Sequence, residues 1–519
     1  MCPVIRQPTS HHDRVVKRSD AHGPPLHFGS AAGRWVLAAT VLGSGMAQLD
    51  ATVVNVALPA IGRGLNARVG PLQLVVTGYS VTLAALILLA GTLGDRLGRR
   101  RVFTWGVIWF SLASALCAAA PSVGVLVGAR ALEGIGGALL TPGSLAIIET
   151  SFAPSDRGRA IGAWSALGGV AAAIGPLVGG WLVQAVSWRA IFLINLPLGA
   201  IVAWMGVRHV PESRNETVAG RLDWPGAILA TAGLAGATYA MISGPSRGLG
   251  SPLVLAAAIV GAVGLVGFVA WERRIAHPML PLTIFASRQF TAANLVTFVV
   301  YGALGGVFFL LVVVLQVSLG YSPIAAGAAS LPVTALMLAL SSRAGALAHR
   351  IGPRLPLTIG PLLIAAGMLL MIRIGPGAGY VPAVLPAMIV FGLGLAATVA
   401  PVTSTVLAAA DERLAGAASG VNNAVARTAG LLAVALLPPI AGLTGAGFQR
   451  PDALAAGFHT AMVVAAALAA AGGLLAFITI SDDVLADRGP ASEPTACALV
   501  DPARAASAPP RAAGQESVS

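Results

Sequence analysis

Apolar residues run along this chain in blocks of roughly 20, separated by short turns rich in Gly, Pro and Arg. A helix rises 1.5 Å per residue, so a block of about 20 residues crosses about 30 Å of hydrocarbon. Backbone groups in hydrocarbon must be satisfied within the segment, which makes each block a helix rather than an open strand. The pattern predicts fourteen spans: 35–61, 71–93, 102–119, 122–148, 159–183, 188–208, 223–243, 252–271, 290–317, 323–342, 355–373, 381–408, 413–441 and 457–479. The expected fold is therefore all-α, a polytopic membrane protein with both ends of the chain on one side of the bilayer.

Composition agrees, since 56% of the 519 residues are hydrophobic and only 10% are charged, against about 25% charged in typical soluble chains. The net charge of +12 does not mark a nucleic-acid binder, because it is spread over short loops. Lys17 is the single lysine, and the Arg, Ala and Gly load points to a GC-rich bacterial genome. Arg96, Arg99, Arg100, Arg101, Arg157, Arg159, Arg208, Arg273, Arg274, Arg343, Arg350 and Arg354 fall in alternate loops on the side of the N-terminal tail. Positive loops stay inside, so that side is cytoplasmic and both termini with it, in a bacterial cytoplasmic membrane. The expected organisation is a disordered tail (1–34), a six-helix half (35–208), a linker with two inserted helices (209–271), a second six-helix half (272–479) and a disordered tail (480–519). Cys2, Cys117 and Cys497 have no metal or redox spacing, and Cys117 reads as a packing residue. The adjacent His11 and His12 lie in the tail and are not taken as a metal site.

Several polar groups interrupt the apolar blocks. Asp50 lies about 15 residues into the first span; ionised there, it costs at least ~2.5–3.5 kcal/mol unless it pairs or meets water. Burial disfavours its charged form, so it can carry a proton in exchange for a cationic substrate, or else it is a structural Asp hydrogen-bonded to a neighbouring helix. Arg130 and Glu133 sit three apart and share a helix face, either as a neutralised pair or as a titrating carboxylate tuned by a guanidinium. Arg427 is a second intramembrane cation without a local partner; it can meet an anionic group, snorkel or pair across helices. Asn55, Asn294, Tyr301, Gln316 and Asn423 are candidates for a substrate cavity, or for helix-to-helix hydrogen bonds.

The turn after the second span, Gly91-Thr92-Leu93-Gly94-Asp95-Arg96-Leu97-Gly98-Arg99-Arg100-Arg101, combines glycines for a tight turn with charges at the membrane surface. His349-Arg350-Ile351-Gly352-Pro353-Arg354 after the tenth span is a weaker copy, a sign of duplicated halves that rock against each other. The first of these turns resembles the signature loop of the major facilitator superfamily. Arg130 within Leu126–Gly137 is similar to that superfamily's fourth-helix arginine motif. Gly168, Gly175, Pro176, Gly179 and Gly180 resemble its antiporter signature, which is found in exporters. Leu49–Pro59, Trp188–Gly199, Gln316–Pro323 and Gly416–Asn423 resemble the 14-spanner drug:proton antiporters. Two details depart from that pattern: Glu133 stands where Gln is common, and Leu431-Leu432-Ala433 replaces a Gly-rich run.

The resemblance implies a proton-coupled exporter of hydrophobic or cationic drugs or antibiotics working by alternating access, acting as a monomer. A carrier of another small metabolite, by uptake or uniport, is the alternative. It implies proton coupling at Asp50 with Arg130 and Glu133. It implies gating by Gly91, Asp95, Arg96, Gly98, Arg99 and Arg100, and a sliding contact at the glycines near Pro176. No phosphate loop, nucleophile elbow or clustered His and Asp is present in the sequence, so neither ATP-driven transport nor an enzyme is expected. No cofactor, metal or nucleic-acid partner is expected either. The partners are a small molecule, protons and the lipid bilayer.

Overall fold

A computed structural model describes residues 25–214, 222–248, 250–276, 278–410, 415–443 and 450–485. Helices account for nearly all of them. The first half contains α1 (Ala31–Gly64), α2 (Val69–Leu97), α3 (Arg99–Ala119), α4 (Val123–Ser151), α5 (Pro154–Ala185), α6 (Ala190–Leu193) and α7 (Asn195–His209). A hairpin follows, α8 (Trp224–Arg247) and α9 (Pro252–Glu272). The second half contains α10 (Arg288–Val317), α11 (Pro323–Ala328), α12 (Leu331–Ile351), α13 (Arg354–Leu370), α14 (Leu385–Ala408), α15 (Ala415–Ile440) and α16 (Pro451–Thr479). Among the described residues, thirteen segments are long and apolar enough to cross a membrane, with α6–α7 and α11–α12 each acting as one span. The expected span 159–183 falls on α5, a 32-residue helix whose described apolar stretch, Ile174–Ala185, is shorter.

Each half is a helix bundle, and one hydrophobic core runs across both, from Val53 and Leu58 of α1 to Leu310 of α10 and Phe391 of α14. In the first, α4 lies against α2 and α3, while α1 lies against α5 and α7; in the second, α14 lies against α12 and α13, and α10 against α15 and α16. The α8–α9 hairpin rests on the seam, with α8 touching both α2 and α15. The outer helix α9 leaves Leu255, Ile259, Val263 and Val266 exposed, the surface expected of a helix that faces lipid tails.

The two halves repeat one local device. Gly98 ends α2 at φ 108° and Gly352 ends α12 at φ 87°, a left-handed conformation that glycine takes without a Cβ penalty. An acid from beyond the last helix of the same half fills the space a side chain would need. Glu212 lies against Gly98 and Asp482 against Gly352. Glu212 Oε1 accepts from the Arg100 amide at 3.1 Å, and Asp482 Oδ1 accepts from the Arg354 amide at 3.2 Å. Each acid thus satisfies a free amide at the start of α3 or α13, where the helix dipole also favours negative charge. This structural repeat is sharper than the one visible in the sequence.

The ends of the chain differ from expectation. Residues 25–34, read as part of a disordered tail, are ordered. Leu26 bridges to Phe152, Phe28 N–H donates to Asp156 Oδ2 at 3.1 Å, and the Arg159 guanidinium stacks on the Phe28 ring at 4.5 Å. Ser30 caps α1 by accepting from Gly33 N–H, so the helix starts four residues before the predicted 35. Residues 480–485 are likewise ordered, held through Asp482. His11, His12 and the rest of both tails lie outside the described residues, as does Arg413 in the α14–α15 turn.

All the named ties between halves sit near the end of the bundle where α1 finishes. Gln316 Nε2 donates to Val56 O at 2.8 Å, and the buried Gln73 Nε2 donates to Val434 O at 2.7 Å. At the same level α5 meets α11 through reciprocal glycines. A Cβ on Gly180 would stand 2.5 Å from Pro323 O, and one on Gly327 would stand 2.3 Å from Pro176 O. Toward the opposite end α2 still meets α15, where a Cβ on Gly420 would stand 2.8 Å from Leu88, while α12 has little of its surface covered.

Candidate functional site

The first half converges on a buried ion cluster. Arg130 and Glu133 lie on one face of α4, and α1 brings Asp50 to them. Arg130 Nη1 is 2.6 Å from Asp50 Oδ2 and 2.6 Å from Glu133 Oε2. The three side chains are at most 1% exposed. Arg130 Nε donates to Val75 O at 3.3 Å. Its guanidinium lies 4.5 Å from the Tyr79 ring centre and 5.8 Å from that of Phe192, both within cation–π range. Ser114 Oγ donates to Glu133 Oε1, Cys117 Sγ donates to Glu133 Oε2 at 3.4 Å, and Asn195 Nδ2 donates to Ser114 Oγ at 3.1 Å. Six helices, α1 to α4 with α6 and α7, therefore hold one cluster.

Charge counting shows what this cluster can do. Two carboxylates around one guanidinium carry a net charge of −1 when both are ionised, and a single proton makes the group neutral. Uncompensated charge in a dry interior costs several kcal/mol, so a single proton on this cluster removes a net charge that burial penalises. Asp50 Oδ1 is the carboxylate oxygen left without a hydrogen bond; Glu133 has both oxygens bonded.

A cavity of about 210 Å³ lies at the seam between the halves, bounded by α1, α2, α10 and α15. Asn55 and Arg427, two of the predicted cavity residues, line it together with Thr77, Ser80 and Phe308. The other four are placed differently. Gln316 makes the tie to Val56 described above. Asn294 joins α10 to α15 by accepting from Asn422 Nδ2 at 3.3 Å. Asn423 bonds back to Ser419 O and is exposed. Tyr301 is in electrostatic reach of Arg427 without lining the cavity wall. The structure adds Tyr79, which sits between the two regions and feels both Arg130 and Arg427.

In the signature turn, Arg99 Nε and Nη2 both donate to Asp95 Oδ1, at 2.9 and 2.7 Å. Arg100 and Arg101 approach Glu212 at 3.5 and 3.7 Å. Gly91 has Pro142 of α4 as its nearest neighbour; Arg96 lies in the last turn of α2. In α5, Gly175 faces Thr52 and Gly179 faces Val53 of α1, Gly180 faces α11, and Gly168 faces open space. Pro176 lies inside the helix.

Sequence reasoning missed Tyr79, Ser114 and Asn195, and it read Cys117 as packing alone. Ser114 and Cys117 are three apart on α3, as Arg130 and Glu133 are on α4. That matching spacing is the one signal in the sequence that pointed to them.

Residues 40–434 match the family model of the Major Facilitator Superfamily. The puromycin resistance protein pur8 of Streptomyces alboniger is 38% identical over 94% of this chain and 100% of its own length. The tetracenomycin C resistance and export protein of Streptomyces glaucescens is 33% identical over 77% of this chain and 74% of its own. The multidrug resistance protein Stp of Mycobacterium tuberculosis is 37% identical over 75% and 72%. Among solved structures, a bacterial homologue of the human lysosomal transporter Spinster, in an inward-facing and unoccupied conformation, has a TM-score of 0.63. It is 18% identical and covers 87% of this chain and 97% of that one, a likeness of fold alone. With matched helices over most of its length, drug-resistance relatives and a shared fold, the chain belongs to the Major Facilitator Superfamily: it is a multi-pass membrane transporter and not an enzyme.

Proposed function

We propose that the chain exports hydrophobic antibiotics or drug-like compounds across the bacterial cytoplasmic membrane in exchange for protons, by alternating access. The observation that carries this reading is the buried cluster of Asp50, Arg130 and Glu133, whose charge count favours one exchangeable proton. Basic loops put both termini in the cytoplasm, so the closed seam near the end of α1 faces outward and the cavity is reached from inside. Asp50 carries the proton, Arg130 holds it between two carboxylates, and Glu133 shares the charge. The Asp95–Arg99 pair and the Gly98 turn brace the cytoplasmic surface, while the α5–α11 glycines form the contact that parts when the transporter opens outward. The chain acts as a monomer, since its cavity is complete within one copy.

The test is efflux from cells expressing the protein, with ethidium, puromycin and tetracenomycin C as probes and a protonophore as control. Extrusion of at least one probe, abolished by the protonophore and by Asp50→Asn at equal expression, is the expected result. Extrusion that survives both would refute proton coupling at this site.

A further inference from the structure

We infer that the seam cavity selects substrates bearing an acidic oxygen, a carboxylate or an ionised phenol or enol, on an aromatic body, and that Arg427 is the residue that reads it. This deepens the export reading and rests on it. Arg427 is the thirteenth residue of the 26-residue α15, at mid-depth of its span. Among the described residues no carboxylate lies within ion-pair distance of it, and its Nε is buried without a hydrogen-bond partner. The side chains in its electrostatic reach are the phenols of Tyr79 and Tyr301. A guanidinium stays charged at any physiological pH, and an intramembrane cation without a counter-charge is held at a cost unless something neutralises it. The carboxylates that could do so, Asp50 and Glu133, are both committed to Arg130 at 2.6 Å.

The rest of the wall suits the same ligand. Among the described residues no Asp or Glu lines the cavity, so a cationic drug finds no counter-charge from them. Asn55 Oδ1 is a buried acceptor without a partner, ready for a hydroxyl beside the acid. Thr77 and Ser80 donate to their own helix, to Gln73 O and Val76 O, leaving lone pairs at the wall. Phe308, which meets Phe391 edge to face at 5.8 Å, supplies an apolar ring surface. An aromatic acid would bury its ring on Phe308 and place its charge at Arg427, where a charge-assisted hydrogen bond is strong and planar recognition is favoured.

The experiment uses the purified full chain and three probes of one ring system: 9-anthracenecarboxylate, its primary amide and 9-anthrylmethylammonium. Binding is read by fluorescence anisotropy for wild type, Arg427→Gln and Arg427→Lys. The carboxylate should bind about tenfold or more tightly than the amide, the scale of one hydrogen-bonded charge, with the ammonium weakest. Arg427→Gln should erase that preference while leaving the amide within about twofold, and Arg427→Lys should keep part of it. Wild type binding the amide or ammonium as well as the carboxylate overturns the proposal, whether or not the variants fold. So does Arg427→Gln retaining the preference. Proton movement driven by the transported probes, measured alongside, reports on the export reading separately. Proton-coupled transport without acid preference sinks this inference alone, and acid preference without proton coupling sinks the export mechanism alone.

Discussion

Gly180 gives the sharpest mechanical prediction. A methyl group there would stand 2.5 Å from Pro323 O and 2.7 Å from Ile324 Cα, against an ordinary lower limit of 3.4 Å. Both obstacles are backbone, so α5 and α11 must part by about 0.9 Å or tilt. Overpacking of this kind costs about 1–3 kcal/mol. The cost falls only on the conformation in which these helices touch, the one closed on the α1-end side. Destabilising one of two states by that amount shifts their ratio by about 5–150-fold. Gly180→Ala should therefore raise the outward-open population by that factor. Gly168→Ala, in the same motif but with nothing within 4 Å of its Cβ, should leave it unchanged. The assay is labelling of Asn55→Cys by a membrane-impermeant maleimide on intact cells, in a background lacking the native cysteines. Faster labelling in Gly180→Ala alone is the expected result. Equal rates in both variants at matched expression would refute the claim that the α5–α11 glycines close the outer side.

Three further outcomes follow from the packing. Glu212→Gln and Asp482→Asn each weaken one acid clasp by about 1–3 kcal/mol; thermal unfolding in detergent should fall for each, and additively for the pair because they lie in separate halves. Arg130→Met leaves two carboxylates uncompensated, a loss of about 3–5 kcal/mol, and adding Asp50→Asn with Glu133→Gln should restore monodisperse protein by fluorescence-detected size exclusion. The Phe28 N–H, followed by His27, holds the Asp156 carboxyl below the usual carboxylate range. Its folded-state value is depressed, so its hold on the segment 25–30 is complete above about pH 4 and is lost as pH falls through the lowered value. Hydrogen exchange of residues 25–30 should be unchanged by this group between about pH 8 and pH 5, after correction for intrinsic rates, and Asp156→Ala should accelerate it at neutral pH.

Much of the architecture was legible in the chain because a bilayer imposes one length and one pattern on every span. The apolar blocks located most helices within a few residues, though α12 runs nine residues past the predicted 342 and α16 starts six before the predicted 457. The misses are local: Ser30 extends α1 through a cap that the apolar pattern does not see, and the tail beside it is ordered by contacts with Asp156 and Arg159 from more than 100 positions away. Asp50, Arg130 and Glu133 stood out because a charge in an apolar block has an energetic cost that must be met. Their meeting in one cluster did not, since Asp50 and Arg130 are 80 positions apart and no local rule sets which helix faces touch. Asn195 was invisible for a similar reason, being a polar residue of a kind that helices hide by bonding to their own backbone. Gln316 and Asn294 looked like cavity residues because the same amide that binds a ligand can also tie two helices together.

The central claim is that the buried cluster exchanges one proton for substrate, and counting protons tests it most directly. Wild type, Asp50→Asn and Glu133→Gln would be reconstituted in proteoliposomes, with internal pH followed as a transported substrate is added. Substrate should drive proton movement in wild type. Asp50→Asn should move no protons, yet still exchange labelled for unlabelled substrate, since the cavity is intact. Proton movement at the wild-type ratio in Asp50→Asn would contradict the account.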